Sequence, residues 1–240
     1  MPETDDSLQI SVRRGGPDDG HFERFRVPAY PSQTVLDVVS WIQQNADPTL
    51  SYRFACRVGM CGSCAMMVNG VPRWTCRTHV SKVLQDGKLR IEPLRNLPVI
   101  KDLAADMDPF FDKWVKAGGQ HVPTQDRTDQ IPAIDSQSAP RQEADAGIEC
   151  INCAVCYAAC DTVTGNPDYL GPAPLLRAWT VFNDAKAGNK KDVLDAVSGT
   201  DGCLNCHTLG SCTQYCPNGL DPMRAIAGLK RATSRHWWSR

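Results

Sequence analysis

Twelve cysteines, gathered into three spaced groups, constrain this 240-residue chain more than any other feature of its sequence. The N-terminal stretch MPETDDSLQI lacks the basic and apolar regions of a secretory signal, so we expect a reducing, cytoplasmic environment. Clustered cysteines there indicate metal ligation rather than a disulfide framework. No apolar stretch approaches the roughly 18 residues of a membrane span. The 26 basic and 27 acidic residues nearly balance, which gives no electrostatic basis for nucleic-acid binding.

The N-terminal part of the chain, residues 1–105, follows an α+β plan. Its hydrophobic periodicity and turn residues predict, in order, strands over 8–14 and 23–29, a helix over 34–46 with Thr34 as its N-cap, a hairpin turning at Asn69–Gly70, and a strand over 89–93.

The remainder, residues 106–240, has a different texture. Residues 118–147 are polar, contain three prolines and show little periodicity, so we expect a surface loop that connects or wraps two domains. Beyond the loop, residues 174–188 and 221–235 carry apolar side chains at spacings of three and four. That spacing predicts amphipathic helices and a helical second domain.

The first cysteine group is Cys56, Cys61, Cys64 and Cys76, which begins with the spacing C-x4-C-x2-C. This spacing is typical of plant-type ferredoxins, where four thiolates hold a [2Fe–2S] cluster. Small residues within the loop allow the backbone to wrap closely and direct N–H groups at the sulfurs. A zinc site and unligated thiols are the alternatives, and the glycine-rich four-residue gap favours the cluster.

The second and third groups repeat one another. Cys150, Cys153, Cys156 and Cys160 follow C-x2-C-x2-C-x3-C, the spacing of bacterial ferredoxins, in which the fourth cysteine binds the other cluster. Shifting this segment by 56 positions aligns Cys150, Cys156 and Cys160 with Cys206, Cys212 and Cys216, and aligns Cys153 with Leu209.

That alignment dictates a pairing of ligands. Four thiolates, from Cys150, Cys153, Cys156 and Cys216, suffice for a [4Fe–4S] cluster. Only three, from Cys160, Cys206 and Cys212, remain for the other cluster, with Leu209 as an apolar plug where the fourth would be. We therefore predict a [3Fe–4S] cluster there, easier to reduce than its neighbour because the loss of a ligand and an iron changes the net charge.

Two residues depart from the pattern. Cys203 lies outside the register, as either a buried bystander thiol or a fourth ligand that would make the third cluster [4Fe–4S]. Asp161 stands where proline usually follows the fourth cysteine, so the local turn is expected to differ.

Three segments together resemble the iron–sulfur subunits of succinate dehydrogenases and fumarate reductases. They are SYRFACRVGMCGSCAMMVNGVPRWTCRT, ECINCAVCYAAC, and the C-x5-C-x3-CP stretch that leads into GLDPMRAIAGLK. The resemblance implies a plant-type ferredoxin (β-grasp) domain over residues 1–105 with [2Fe–2S]. It also implies an all-α, bacterial-ferredoxin-like domain over residues 106–240 with [4Fe–4S] and [3Fe–4S].

The same resemblance implies partners and an activity. Such a subunit relays single electrons between a flavoprotein that carries FAD and a membrane anchor that binds quinone and, in some members, haem b. We expect a peripheral position at the cytoplasmic face of the cell membrane and no nucleic-acid partner. The direction of reaction stays open, because Thr164 resembles the fumarate reductases whereas His207 resembles the succinate dehydrogenases. A free-standing soluble multi-cluster carrier is the alternative.

His207 and Lys230 are candidates for the quinone vicinity on this resemblance alone. The alternatives are a hydrogen bond from His207 to a cluster sulfur and a solvent-facing Lys230. The C-terminal sequence KRATSRHWWSR combines basic residues with tryptophans, a composition suited either to a lipid headgroup interface or to a neighbouring subunit.

Overall fold

A computed structural model describes residues 7–131 and 133–238 of the chain. The backbone divides into two compact units, and the division is not a single cut along the sequence. The first unit runs to Met107 and also includes Cys153–Ala158, while the second contains Asp108–Asn152 and the chain from Ala159 onward. The N-terminal stretch before Ser7, and Ser239 and Arg240 of the basic C-terminal sequence, lie outside the described residues.

The first unit is built on a five-stranded mixed sheet. Its strands are β1 (Ser7–Arg14), β2 (His21–Pro28), β3 (Ala65–Val68), β4 (Val71–Trp74) and β5 (Lys88–Glu92), in the order β2-β1-β5-β3-β4. Strand β1 runs parallel to β5 and antiparallel to β2, and β3 is antiparallel to both β4 and β5. Two short strands, β6 (Val99–Lys101) and β7 (Ala104–Ala105), pair separately. All the strands predicted from the sequence are confirmed.

Helix α1 (Val35–Asn45) supplies the other layer of this unit's core. Its first turn is closed by a reciprocal cap, in which Thr34 Oγ1 accepts from the Asp37 amide (3.2 Å) and the Asp37 carboxylate accepts from the Thr34 amide (2.9 Å). Its buried apolar residues pack with those of the sheet in one hydrophobic cluster. The predicted helix and its N-cap are confirmed.

The β3–β4 hairpin turns at Asn69 and Gly70, as predicted. Both have positive φ angles, 49° and 77°, which a two-residue hairpin turn of this hand requires. The Asn69 side chain also donates to the Val83 carbonyl (2.7 Å) and accepts from the Arg90 amide (2.7 Å). The turn is therefore fixed to the strand beside it, which positions the cysteines at both ends of the hairpin.

The second unit is helical. Its helices are α2 (Asp108–Lys116), α3 (Ala139–Ile148), α5 (Asp161–Gly165), α6 (Pro172–Asn183), α7 (Lys190–Val197), α8 (Ser211–Gln214) and α9 (Pro222–Trp238), while the short α4 (Val155–Ala158) belongs to the first unit. Helix α6 is central, packing against α2, α3, α7 and α9. The two predicted helices are confirmed, although the first ends at Asn183 rather than continuing to residue 188.

The prediction of a surface loop over 118–147 is wrong for its last third, where the chain forms α3. This helix has proline in its first turn and packs on α6 through the small residues Ala144 and Gly147. A Cβ atom at Gly147 would overlap the Thr180 side chain, so the close approach depends on glycine. Contact through small residues leaves no apolar periodicity in the sequence.

Within the part of the chain that the structure describes, no helix has the length and apolar character of a membrane-crossing segment.

Candidate metal centres

All twelve cysteines are free thiols in the structure. Among the described residues, no three His, Cys, Asp or Glu side chains are arranged to hold a single metal ion.

The first set lies within the first unit, around the β3–β4 hairpin. Cys56 and Cys61 are in the loop before β3, Cys64 directly precedes β3, and Cys76 lies in a short 3-10 helix after β4. The Thr75 hydroxyl donates to the Cys64 carbonyl (2.7 Å), which joins the two ends of the hairpin. The fold thus gathers all four predicted ligands from one loop and one hairpin.

The loop directs backbone N–H groups at two of these sulfurs. The amides of Val58 and Met60 donate to Cys56 Sγ at 3.4 and 3.2 Å, and the Cys56 amide donates to Cys61 Sγ at 3.5 Å. Gly59, between the two donors, has φ of +76°. This curled backbone forms a concave array of donors, which suits an anionic group.

The pKa values of two thiols in this set are shifted in opposite directions. The pKa of Cys61 is lowered to about 6, first by the Cys56 amide and then by the Ser63 hydroxyl. The pKa of Cys76 is raised to about 11, first by burial and then by the neighbouring Cys64 thiol. Cys61 is therefore the more readily available as a thiolate, whereas Cys76 requires a positive partner such as iron to lose its proton.

The second set is divided by the unit boundary. In the second unit, Cys150 follows α3, and its pKa is raised by burial and further by the charge of Cys216. The Asn218 side chain donates to the Glu149 carbonyl (2.7 Å), which fixes the segment after Cys216 beside the segment before Cys150. Two of the four predicted ligands are thereby brought together in this unit.

Cys153 and Cys156 belong to the first unit. Cys156 is buried in α4, and the Asn96 side chain donates to the Tyr157 carbonyl of that helix (2.9 Å). This hydrogen bond attaches α4, which contains Cys156, to a residue that follows β5.

The third set lies within the second unit and shares one cavity. Cys160 is the N-cap residue of α5, Cys206 follows a short 3-10 helix, and Cys212 is in α8. All three line the cavity, as does Leu209. Leu209 is 61% exposed where it borders the cavity, and its role as an apolar plug stays a prediction.

The environment of the third set combines side chains with backbone donors, which act on Cys160 and Cys212 as well as on Cys206. The Thr208 amide donates to Cys206 Sγ (3.4 Å), and Lys230 Nζ donates to the Cys206 carbonyl (2.7 Å). The pKa of Cys212 is raised to about 11, chiefly by burial and also by the charges of Cys160 and Cys206. A thiol whose pKa is raised in this way keeps its proton at neutral pH, and it becomes a thiolate ligand when a cationic group balances its charge.

Tyr169 is a lining residue that sequence reasoning missed. It is buried, and its hydroxyl has no hydrogen-bond partner among the described residues. Its pKa is raised by burial and by the thiolate charges of Cys206 and Cys160. A lone tyrosine has no spacing signature, so only the folded chain shows that it shares the cavity with the cysteines.

The unexplained Cys203 is fully buried and is not among the described residues that line the cavity. Its Sγ lies 3.7 Å from the Thr233 hydroxyl of α9. Burial raises the pKa of the Cys203 thiol. This position favours the bystander alternative over ligation.

The two residues predicted near a quinone differ in their surroundings. His207 is exposed, directly after Cys206. Lys230 is partly buried on α9 and has the Cys206 carbonyl as an acceptor, so it is not simply a solvent-facing lysine. Asp161 begins α5, where an acidic residue interacts favourably with the helix N-terminus.

Two family models match the chain, and one covers the first set of cysteines while the other covers the second and third sets. Residues 9–112 match a 2Fe-2S iron-sulfur cluster binding domain, and residues 149–221 match a 4Fe-4S dicluster domain.

Similar proteins cover most of the chain. A fumarate reductase iron-sulfur subunit of Mycobacterium tuberculosis is 36% identical over 219 residues, covering 90% of this chain and 87% of its own. The corresponding protein of Escherichia coli O157:H7 is 34% identical over 237 residues, covering 95% and 94%. A mitochondrial succinate dehydrogenase [ubiquinone] iron-sulfur subunit of Oryza sativa is 37% identical over 202 residues, covering 82% and 70%.

Among solved structures, a chain of the Mycobacterium smegmatis Sdh1 complex in the apo form has a similar fold. The TM-score is 0.84 at 24% identity, with 97% of both chains covered.

Proposed function

The chain belongs to the family of iron–sulfur subunits of succinate dehydrogenases and fumarate reductases, and on this basis we propose that its three sets of cysteines hold three clusters of different types. The first set holds [2Fe–2S] in a domain of the β-grasp type. The second holds [4Fe–4S], and the third holds [3Fe–4S]. The observation that carries the last assignment is the cavity lined by three thiols, with Leu209 at its edge in place of a fourth.

The first set of thiols suits a [2Fe–2S] cluster both in its number of ligands and in its backbone hydrogen-bond donors. Four thiols meet the requirement of [2Fe–2S], and the N–H groups directed at Cys56 and Cys61 stabilise negative charge on those sulfurs. The matching 2Fe-2S domain covers this entire set.

The second set is proposed from its spacing and from the matching dicluster domain, residues 149–221. Cys150, Cys153, Cys156 and the crossed-over Cys216 are its four ligands. Cys150 and Cys216 lie close enough for the charge of one to raise the pKa of the other. A cluster would relieve this repulsion, because its iron neutralises the thiolates.

The function of the subunit is electron relay. Iron–sulfur clusters accept and release single electrons, and the protein sets their potentials through ligands, burial and hydrogen bonds. The residues of this chain bind the clusters, exclude water and supply donors. We propose that the partners are a flavoprotein with FAD and a membrane anchor with quinone, with haem b present where the anchor binds it. The proposal covers succinate oxidation and fumarate reduction alike.

His207 and Lys230 are proposed to lie near the quinone. The exposed His207 is available as a donor beside Cys206, and Lys230 links α9 to the Cys206 carbonyl (2.7 Å). Lys230 therefore lies beside the segment that carries Cys206, and His207 is the next residue in that segment. The exposed Leu209, two residues after His207, adds apolar surface where it borders the cavity of the third set of thiols.

The C-terminal part of α9 is proposed to face the membrane at its cytoplasmic side. Lys230, Arg231, Ser234, Arg235 and Trp238 line one cleft on this helix, and the two terminal tryptophans are exposed. Basic residues combined with exposed tryptophans suit an anionic headgroup region.

Co-purification tests the proposed assembly. The tagged full chain, extracted in mild detergent, is expected to bring down a flavoprotein with FAD and an anchor, with succinate-dependent quinone reduction. Replacing Arg231 and Arg235 with alanine is expected to lower the membrane-bound fraction, whereas the same change at Lys190 and Lys191 of α7 is the matched control. Recovery as a soluble, partner-free monomer with full carrier activity would contradict the proposal and favour a free-standing carrier.

A further inference from the structure

Tyr169 presents a buried hydroxyl without a partner. The residue is 1% exposed, and its hydroxyl oxygen has no hydrogen bond within the described part of the chain. Burying a hydroxyl without a partner costs free energy, so such a group in a folded protein calls for a specific explanation.

The position of this residue is held by hydrogen bonds of its backbone. The Tyr169 amide donates to the Asn166 carbonyl (3.1 Å), and its carbonyl accepts from Lys113 Nζ (2.9 Å). The next amide, that of Leu170, donates to the Asp201 carbonyl (2.8 Å). With the backbone fixed on both sides, the ring has little freedom to turn its hydroxyl toward solvent.

The cavity offers this hydroxyl the sulfur atoms of Cys160, Cys206 and Cys212, which line it together with Tyr169. Polar side chains also line it, those of Asp161, Thr162, Thr208 and Ser211, but the Tyr169 hydroxyl is hydrogen-bonded to none of them. A phenol carries its proton at neutral pH and is therefore a donor. The acceptors that the proposed function places there are the thiolate and bridging sulfurs of the third cluster.

We propose that the Tyr169 hydroxyl donates a hydrogen bond to a sulfur of the group held by Cys160, Cys206 and Cys212, and that this bond raises the reduction potential of the third cluster. The proposal rests on the proposed function, because it assumes a cluster in this cavity. Reduction adds one electron, and a donor stabilises the more negative state. Tyr169 acts through the cluster and is a positioning residue, not a catalytic one.

The test is a redox titration of the intact complex, followed by electron paramagnetic resonance (EPR) of the oxidised third cluster, with Tyr169→Phe. The ring is kept and only the hydroxyl is lost. We expect the signal to persist with a lower midpoint, by about 59 mV for a tenfold smaller equilibrium constant of reduction. The matched control is Tyr52→Phe, whose hydroxyl donates to Ser40 in the first unit (3.1 Å), and it is expected to leave this midpoint unchanged.

A second readout detects the hydrogen bond itself. After exchange into deuterated water, pulsed EPR of the wild-type complex is expected to show a deuteron coupled to the cluster that Tyr169→Phe lacks. The Thr208 amide near Cys206 supplies a coupling that persists in both proteins. An unchanged midpoint together with an unchanged deuteron pattern would overturn the proposal and leave Tyr169 a packing residue.

Two further outcomes remain decisive. If the wild type shows no oxidised-state signal, the three-iron assignment fails, and the same titration is made on the reduced-state signal of that cluster, where an unchanged midpoint overturns the tyrosine's role. If Tyr169→Phe assembles no third cluster, 3-fluorotyrosine at position 169 replaces it. This stronger donor is expected to raise the midpoint, and no shift would overturn the proposal.

Discussion

The sites around Cys56 and Cys206 both direct backbone amides at sulfur, but they differ in the side chains that surround the thiols. The loop around Cys56 uses its own backbone, with the amides of Val58 and Met60 directed at one thiol. The cavity around Cys206 is assembled from separate helix ends, and a side-chain hydroxyl, that of Tyr169, faces the thiols there.

The difference predicts which substitutions each site tolerates. A site made of backbone donors depends on loop conformation, so it is sensitive to residues that set φ and ψ. The third site also has a backbone donor, the Thr208 amide, but its side-chain groups, such as the Tyr169 hydroxyl, can be altered one at a time without rebuilding a loop. Substitutions at the first site should therefore mainly affect whether its cluster assembles. Substitutions at the third site should mainly affect the type of cluster and its reduction potential.

Removal of one ligand has the largest expected effect. Cys76→Ala should abolish the [2Fe–2S] cluster and retain the third cluster, because the first set of thiols lies within one compact unit and the third set within the other. Cys212→Ala should do the reverse. Iron content and low-temperature EPR of the purified complex measure both. Loss of both clusters from either substitution would show that the two sites do not assemble independently.

Conversion of the third cluster comes next. Leu209→Cys supplies a fourth thiol at the edge of the cavity, so we expect a [4Fe–4S] cluster with a lower potential. Leu204→Cys is a matched control, because Leu204 is 58% exposed against 61% for Leu209 and does not line the cavity. EPR in the oxidised and reduced states distinguishes the cluster types. An unchanged oxidised-state signal and midpoint in Leu209→Cys would count against Leu209 as the missing ligand position.

A smaller effect is expected from paired glycine substitutions. Both Gly59 and Gly210 have positive φ, which costs an alanine roughly 1–2 kcal/mol. At Gly59 a Cβ would also lie 3.2 Å from the Trp74 ring and 3.1 Å from Arg77 Cγ, which adds about 1–3 kcal/mol of overpacking, whereas at Gly210 the nearest atom is Met223 Sδ at 3.9 Å.

Thermal loss of visible circular dichroism from each cluster measures this difference. Gly59→Ala should lower the temperature at which the first cluster is lost by more than Gly210→Ala lowers that of the third. An equal or opposite ranking would show that the first site does not depend on its backbone in the manner described.

The smallest effect on the clusters is expected from Cys203→Ala. Its thiol faces Thr233 rather than the cavity, so all three clusters should remain, with a loss of stability of roughly 1 kcal/mol. Cys206→Ala, three residues later, should remove the third cluster. Iron per chain and the oxidised-state EPR signal measure both. Loss of the third cluster from Cys203→Ala would restore the alternative of a fourth ligand.

The first unit was largely predictable because its signals are local. Thr34 and Asp37 form a capping box that marks the start of α1, and Asn69–Gly70 marks the hairpin. Helix α3 was missed because it packs through Ala144 and Gly147, whose contact with α6 depends on shape rather than on hydrophobicity. The assignment of Cys153–Ala158 to the first unit was equally hidden, since it depends on residues distant in sequence.

Sequence spacing was sufficient to group the cysteines but not to describe what surrounds them. The alignment that pairs Cys153 with Leu209 predicted three thiols for the third site, and the structure brings those three into one cavity. Tyr169 and the contact of Lys230 with the Cys206 carbonyl depend on tertiary packing alone. Neither hydrophobic periodicity nor cysteine spacing in the sequence indicates such contacts.

The central claim, that Cys160, Cys206 and Cys212 hold a [3Fe–4S] cluster, is tested most directly by EPR of the oxidised, anaerobically purified complex. An oxidised [3Fe–4S] cluster is paramagnetic, whereas oxidised [2Fe–2S] and [4Fe–4S] clusters of the ferredoxin type are not. We expect a stoichiometric oxidised-state signal that disappears on one-electron reduction. A silent oxidised state, with a second [4Fe–4S] signal on reduction, would contradict it.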